Sequence, residues 1–329
     1  MKCNFDIKQV NSPFEDTAFL VRNTYKTESM LFDCGRIGAL SNSEVLSISE
    51  IFISHTHIDH FYGFDRILRG TLLSGKKFRV FGPPGIIKNV RGKIDSYTWN
   101  LIKSYPVSYE VIELNDSKKE YRTASFSAFD GFDQVDGSIL HDDILLGDGF
   151  RLDFELFDHR VPSVGYRVTE KEMVAVNKTA LTDSGYVSGK WLGELKNRIL
   201  SDDMDSLIEA EMKDGVKEVK VSQAASAFIE YVRPQSVTFI TDIAPSLENC
   251  RKAVQLAKDT DVLLIEGVFL KEDVAHANRK KHLTLDLSKY IFRESGAKKA
   301  RFFHFAPRYD ADRRAFYDRL YDGMDGLIY

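Results

Sequence analysis

The sequence predicts a layered α/β sandwich in which each of two halves pairs β structure with covering helices. Three observations lead there. The first third is rich in short strands and the last hundred residues alternate strand with helix. The Gly-x-Gly-x-x-Gly turn that a doubly wound nucleotide-binding sheet places after its first strand is absent. At 329 residues the chain suits one large domain or two modest ones, with a sizeable core in either case.

In order along the chain, residues 7–10, 18–22 and 30–32 are short apolar runs, interrupted by Asn11-Ser12-Pro13 and Asn23, and read as strands. Residues 50–54 read as a buried strand that runs into a group of histidines. Phe61, Phe64, Ile67 and Leu68 then recur at helical spacing. A strand at 78–81 closes in Gly82-Pro83-Pro84-Gly85, and 86–94 reads as a helix. Strands are expected at 107–114, 152–157 and 163–169, with the Gly- and Asp-rich 130–149 as an extended loop or insertion. Residues 175–233 are charged and read as mostly helical, an excursion from one domain spanning 1–329. A regular alternation follows: strand 236–241, helix 246–258, strand 262–266, helices near 271–279 and 284–295, strand 301–305, and a final helix from 310.

Composition excludes several classes. With 43% hydrophobic residues, 21 Gly and 8 Pro, the chain is neither disordered nor collagenous. No apolar run approaches the ~18–20 residues that span a bilayer, so no membrane partner is expected. The opening Met1-Lys2-Cys3-Asn4-Phe5-Asp6 lacks the apolar stretch of a signal peptide. Cys3, Cys34 and Cys250 are too few and too scattered for a disulfide framework. A cytoplasmic location is the expectation. Forty-five basic against 49 acidic residues, net −4, lack the strongly basic signature of a nucleic-acid binder. A local basic path to a site is compatible with that total.

The chemistry concentrates in Ser54-His55-Thr56-His57-Ile58-Asp59-His60, where three of eight histidines and an aspartate follow an apolar strand. Imidazole and carboxylate are ligands that zinc favours, and His-x-His at a strand end aims two rings at one ion. Asp59 and His60, one turn on, reach toward a second.

This His-x-His-x-Asp-His pattern resembles the metallo-β-lactamase fold superfamily. The resemblance implies an αββα sandwich, with an inserted helical arm here, and a metal pair in the cleft at the sheet ends. It also implies three further ligands. His159, after a strand, is the candidate for the third histidine, with His141 as competitor. Asp242 is the candidate for a bridging carboxylate, with Asp183 as alternative. His304, at the end of a late strand, is the last. The full set is then His55, His57, Asp59, His60, His159, Asp242 and His304, holding two Zn²⁺ per chain, with Mn²⁺ or Fe²⁺ as alternatives.

Within the superfamily the sequence resembles ribonuclease Z, the endonuclease that trims the 3′ trailer of precursor tRNA. Glu266 is followed after sixteen residues by His282, and that after twenty-two by His304. His304-Phe305-Ala306-Pro307-Arg308-Tyr309, His159 with Gly165-Tyr166-Arg167, Leu31–Gly35 and Val80–Gly85 add to the resemblance, which covers most of the chain from about residue 30. It implies hydrolysis of a phosphodiester by a metal-held hydroxide, with catalytic roles for Asp59, Glu266 and His282. Asp59 would orient the nucleophile or take its proton. His282, held by Glu266, would protonate the leaving 3′ oxygen.

An arm clamping tRNA would have its base near Gly189 and Lys190, and Arg279, Lys280, Lys281 and Arg308 are candidates for phosphate contacts. A homodimer is implied as well. The departures are specific: Asn11-Ser12-Pro13-Phe14-Glu15-Asp16 replaces a Gly-rich turn, Ile58 a glycine, Gly189-Lys190 a Gly-Pro pair, and a long insertion precedes His159. The alternatives are a hydrolase of a small or non-tRNA phosphodiester and a non-catalytic RNA- or protein-binding relative.

Overall fold

The computed structural model describes residues 4–24, 26–102, 104–144, 150–171 and 173–324. Cys3 and residues 145–149 of the Gly- and Asp-rich stretch lie outside the described residues. Contacts divide the chain into two units, Met1–Thr169 with Gln235–Tyr329, and Glu170–Pro234.

In the first unit an eight-stranded sheet runs in sequence order through β1 (Phe5–Gln9), β2 (Phe19–Asn23), β3 (Ser29–Phe32), β4 (Ile48–Phe52), β5 (Lys77–Gly82), β6 (Ser108–Glu113), β7 (Glu120–Ser127) and β8 (Gln134–Leu140). Strands β3 to β6 are parallel and the outer pairs antiparallel. Their crossovers carry α1 (Asn42–Ser47), α2 (Ile58–Phe61), α3 (Phe64–Thr71) and α4 (Ile86–Asp95). In α3, Phe64, Ile67, Leu68 and Thr71 fall on one buried face, the i, i+3, i+4, i+7 spacing of a helix laid on a sheet.

The second sheet starts with β9 (Phe150–Asp158) and β10 (Pro162–Glu170). The chain then builds the second unit from β11 (Met173–Val176), α5 (Lys178–Asp183), α6 (Trp191–Leu200), β12 (Leu207–Met212), β13 (Gly215–Lys220), α7 (Val221–Phe228) and β14 (Ile229–Val232). It returns with β15 (Ser236–Ile240), α8 (Leu247–Leu256), β16 (Val262–Glu266), α9 (Val274–Lys280), α10 (Leu285–Ser295), β17 (Lys299–Phe303) and α11 (Arg313–Tyr321), giving the order β17-β16-β15-β10-β9.

Three apolar layers follow from the pleat, which sends alternate residues to opposite faces. Phe19, Phe32, Phe52 and Phe81 meet Tyr166, Phe239, Leu264 and Phe303 between the sheets. Leu20, Ile51 and Val80 pack outward under α3 and α4. Leu263, Ile265 and Phe302 pack outward under α8, α10 and α11. The arrangement is helix, sheet, sheet, helix, and the strand Val262–Glu266 is apolar up to its terminal glutamate because both faces are covered. Among the described residues no helix is long and apolar enough to cross a membrane.

Two expectations need correction. Residues 134–140 are strand β8, paired with β7 along its length, where a loop was expected. As an edge strand with exposed side chains, β8 is held by backbone bonds and has no apolar alternation to announce it. The second unit is not mostly helical: β11 pairs with β14, and β12 and β13 form a hairpin. Ile208 and Ala210 are buried between exposed Glu209 and half-buried Glu211, a period-two pattern hidden by the charged composition. The hairpin closes through Lys213-Asp214 onto Gly215, whose φ of +140° a side chain would resist. This unit has a core of its own around Leu181, Trp191, Leu195, Ile208 and Phe228.

One contact ties the sheets together beside the histidines. The buried Tyr166 hydroxyl donates to the Ile53 carbonyl at 2.6 Å and lies 3.2 Å from that of Phe81. Replacing it by Phe strips a buried acceptor of its partner, at a cost of about 1–3 kcal/mol. Urea unfolding of Tyr166→Phe is expected to show that loss; an unchanged midpoint would contradict it.

Candidate metal centre

The residues of the cleft stand where strands end. Asp33 follows β3, His55 follows β4, His159 follows β9, Asp242 follows β15, Glu266 ends β16 and His304 follows β17. Strands β15, β16 and β17 are parallel, so their carboxyl ends deliver side chains to one edge. Asp33, Asp242 and His304 adopt φ of +54°, +52° and +60°, a left-handed conformation costly for residues with a Cβ. Strain at three neighbouring strand ends is a mark of a site whose side-chain directions matter.

Asp242 is at the centre. Its Oδ2 lies 3.3 Å from His159 Nε2 and 3.7 Å from His55 Nε2. Its Oδ1 lies 3.4 Å from both His60 Nε2 and His304 Nε2. His55, His57, His159 and Asp242 thus have ligand atoms within 4.8 Å of one another, as do Asp59, His60 and His304. Asp242, His282 and His304 form a third such group. Asp59 is half-exposed, its Oδ2 3.5 Å from His60 Nε2.

The rings are fixed from behind. Asp33 Oδ2 accepts from His60 Nδ1 at 2.7 Å and from the Ser54 hydroxyl at 2.8 Å, while its Oδ1 accepts from the Ser54 amide at 2.7 Å. His159 Nδ1 donates to the Lys281 carbonyl at 2.8 Å, and Thr17 Oγ1 meets His304 Nδ1 at 3.3 Å. Protons held on Nδ1 leave lone pairs on Nε2. His55 Nε2 and His60 Nε2 are buried with no hydrogen-bond partner among the described residues. Lone pairs converging on a carboxylate repel it unless positive charge lies between them, so the donor set fits divalent cations.

The electrostatics say the same. Burial takes His55 well below the ordinary imidazole value. His60 meets the same burial penalty, yet Asp242 and Asp33 pull it well above. Burial opposes the charge of Asp242, but the imidazoles of His304, His60, His282 and His55 hold it well below the carboxylate range. A buried carboxylate here demands positive charge, which a divalent cation supplies as it displaces protons.

Beside this cluster, fully buried Glu266 accepts from the Ile243 and Leu283 amides through Oε1, and its Oε2 lies 2.9 Å from His282 Nδ1. Burial lowers His282, and the carboxylates of Glu266 and Asp242 outweigh it, pushing the imidazole up to about 9. A cleft of about 250 Å³ opens next to His282, His304 and Asp59, lined also by Lys280, His276, Phe269, Glu15 and Asp16.

The other candidates are placed differently. His141 bonds to Tyr121 at 2.9 Å and stands outside the three groups. Asp183, Gly189 and Lys190 belong to the second unit; Asp183 and Lys190 are exposed, and a Cβ on Gly189 would meet the Glu211 carboxylate. Arg279 is exposed beside His276. Lys281 faces the cluster with its carbonyl. Arg308 is occupied: it pairs with Asp273 at 3.2 Å and lies over the Phe269 ring.

In the sequence Asp33 stands within Leu31–Gly35 with no role legible, because an isolated aspartate at a strand end carries no local signal. An amide in its place turns one donor toward the His60 ring or toward Ser54. Asp33→Asn is therefore expected to weaken metal binding by about 10–100-fold. Chelator competition against the parent protein measures it, and equal affinity would remove Asp33 from the site.

No family model matches the chain. It is 24% identical over 304 residues to "Ribonuclease Z" of Deinococcus radiodurans, covering 87% of this chain and 85% of that protein. It is 26% identical over 289 residues to "Ribonuclease Z" of Brevibacillus brevis, covering 85% and 76%. Among solved structures, human tRNase Z, short form, superposes with a TM-score of 0.53 at 17% identity over 93% of both chains. The metallo-β-lactamase fold protein YhfI from Bacillus subtilis gives 0.55 at 12% identity over 99% of this chain and 94% of that one. The chain is a metallo-β-lactamase-fold hydrolase homologous to ribonuclease Z.

Proposed function

We propose that the chain is a phosphodiesterase with two Zn²⁺ per chain, Mn²⁺ or Fe²⁺ being the alternatives, and that it removes the 3′ trailer of precursor tRNA. The observation that carries this reading is the division of Asp242, with one oxygen facing His55 and His159 and the other His60 and His304. His55, His57, His159 and Asp242 would hold one ion, and Asp59, His60, His304 and Asp242 the other. Bound there, the metals supply Lewis acidity and lower the pKa of water near neutral pH.

The side chains do the rest. Asp59, half-exposed at the cleft, orients the attacking water and takes its proton. Glu266 fixes His282 through Nδ1 and favours its charged form, which leaves Nε2 to protonate the departing 3′ oxygen. Lys280 lines the cleft and binds a flanking phosphate, with Arg279 and the Lys281 side chain extending that contact. Gly189 and Lys190 belong to a unit that takes the chain position of the tRNA-binding arm. Arg308, held by Asp273, supports the cleft wall at Phe269.

A second reading, hydrolysis of a small or non-tRNA phosphodiester, is favoured by acidity. Glu15 and Asp16 line the cleft, and residues 170–234 hold nine basic against twelve acidic side chains. Both repel a polyanion. The metal-loaded protein should cleave a 3′-extended precursor tRNA as well as bis(p-nitrophenyl) phosphate. Turnover of the small ester with an intact precursor supports the second reading, and RNA binding without turnover of either supports a non-catalytic relative.

His282→Ala should slow precursor cleavage by about 10²–10⁴-fold. It should barely affect the p-nitrophenyl ester, whose leaving group departs without a proton. Equal losses on both substrates would remove the proton-donor role. The homodimer implied by the resemblance is part of the proposal too, and sedimentation at the mass of one chain would overturn it.

A further inference from the structure

We infer that Lys281 is a positioning residue that acts through its backbone, its left-handed turn setting His159 and His282 together. The inference rests on reading His159 as a metal ligand. Lys281 caps α9 with φ +63° and ψ +41°, its amide donating to Ala277. The His282 amide donates to the same Ala277 carbonyl at 3.1 Å. This turn directs the Lys281 carbonyl at His159 Nδ1, 2.8 Å away. A carbonyl only accepts, so His159 carries its proton on Nδ1 and turns a lone pair on Nε2 toward Asp242, 3.3 Å off. One residue on, the same turn delivers the His282 ring to Glu266, while the Leu283 amide takes the other Glu266 oxygen.

The opposite wall is built to meet it. Arg160, also left-handed at φ +62°, donates from Nη2 to the Arg279 carbonyl at 2.7 Å. Its amide is held by Asp158 Oδ1 at 2.9 Å, and the Asp158 carbonyl accepts from the Ala244 amide at 2.8 Å. The loops after β9 and α9 are thus clasped on both sides of His159. His60 and His304 are braced by side chains, Asp33 and Thr17. His159 is braced by main chain, so the conformation at residue 281 decides its direction.

The test separates backbone from side chain. Lys281→Gly keeps a left-handed turn and removes the amine, whereas Lys281→Val, β-branched, disfavours that turn. Zn²⁺ affinity by chelator competition, with the absorption spectrum of the Co²⁺ form, is expected to be near the parent in the Gly variant. It is expected to be weaker by about tenfold or more in the Val variant. Equal affinities in both variants, or equal losses in both, would overturn the inference. A second measurement needs no variant: ¹⁵N-histidine spectra of the metal-free parent should show His159 protonated on Nδ1, and an Nε2-protonated ring would overturn it even if Lys281→Val does not fold. Failure of the parent to bind metal at all counts instead against the metal reading, and leaves the tautomer result to stand by itself.

Discussion

A buried carboxylate facing four imidazole nitrogens is the constraint on which this structure turns. Asp242 is nearly inaccessible, and an ionised carboxylate removed from water is costly unless opposite charge and donors surround it. The answer is drawn from distant parts of the chain: His55 and His60 from the loop after β4, His159 from β9, His304 from β17. None of these can approach unless both sheets keep their register and present their carboxyl ends to one edge. The inter-sheet core of Phe32, Phe52, Tyr166, Phe239 and Phe303 does that alignment, and Tyr166 adds a polar contact at the base of the histidine loop. Core and site are therefore one problem, because a slip of β15 by one residue would turn Asp242 toward the opposite face.

The candidate ligands are set by unlike means. A carboxylate sets His60, a hydroxyl meets His304, and a peptide carbonyl sets His159. Behind His60 and His159 the Nδ1 partner only accepts and so decides what Nε2 presents to Asp242, whereas the Thr17 hydroxyl behind His304 can donate or accept. That rear layer also joins the candidate metal ligands to the Glu266–His282 pair, since the carbonyl behind His159 belongs to the residue before His282. Glu266, buried at the end of β16, completes the join by taking the Ile243 amide, next to Asp242, and the Leu283 amide, next to His282.

What was legible in the sequence is what is local. The strand-to-histidine transition at Phe52–His60 needs only neighbours, as does the strand–helix alternation after residue 236. Asp33 is different: it is 27 residues from His60, and only the parallel pairing of β3 with β4 brings them together. The carbonyl of Lys281 has no sequence signature at all, since every residue has one. Strand β8 and the β12–β13 hairpin escaped because backbone pairing holds them, while their side chains are largely charged or exposed. Arg308, a candidate by its place after His304, pairs with Asp273 at the start of α9, a contact that no local pattern announces.

Charge bears most directly on the substrate. The net −4 of the chain counts Asp59 and Asp242 as fixed negative charges, although their surroundings are histidines and a donor set suited to cations. Counted that way, the centre is far less repulsive to a phosphate than the sum suggests. The wall that carries Glu15 and Asp16 is another matter, because these carboxylates stand outside the donor set. Glu15 is tied to Arg36, Phe14 is wedged against Phe305 and Phe316, and the Pro13 carbonyl holds the Phe305 amide next to His304. That wall is fixed in place and lines the same cleft as Lys280 and His276. A substrate entering there meets the Lys280 ammonium and the carboxylates of Glu15 and Asp16, so beside a phosphate a group that offers hydrogen-bond donors suits the cleft better than a second anion. The hydroxyls of a terminal ribose satisfy that demand, and so does a small diester with a polar alcohol. The local cleft thus constrains the group beside a phosphate bound there.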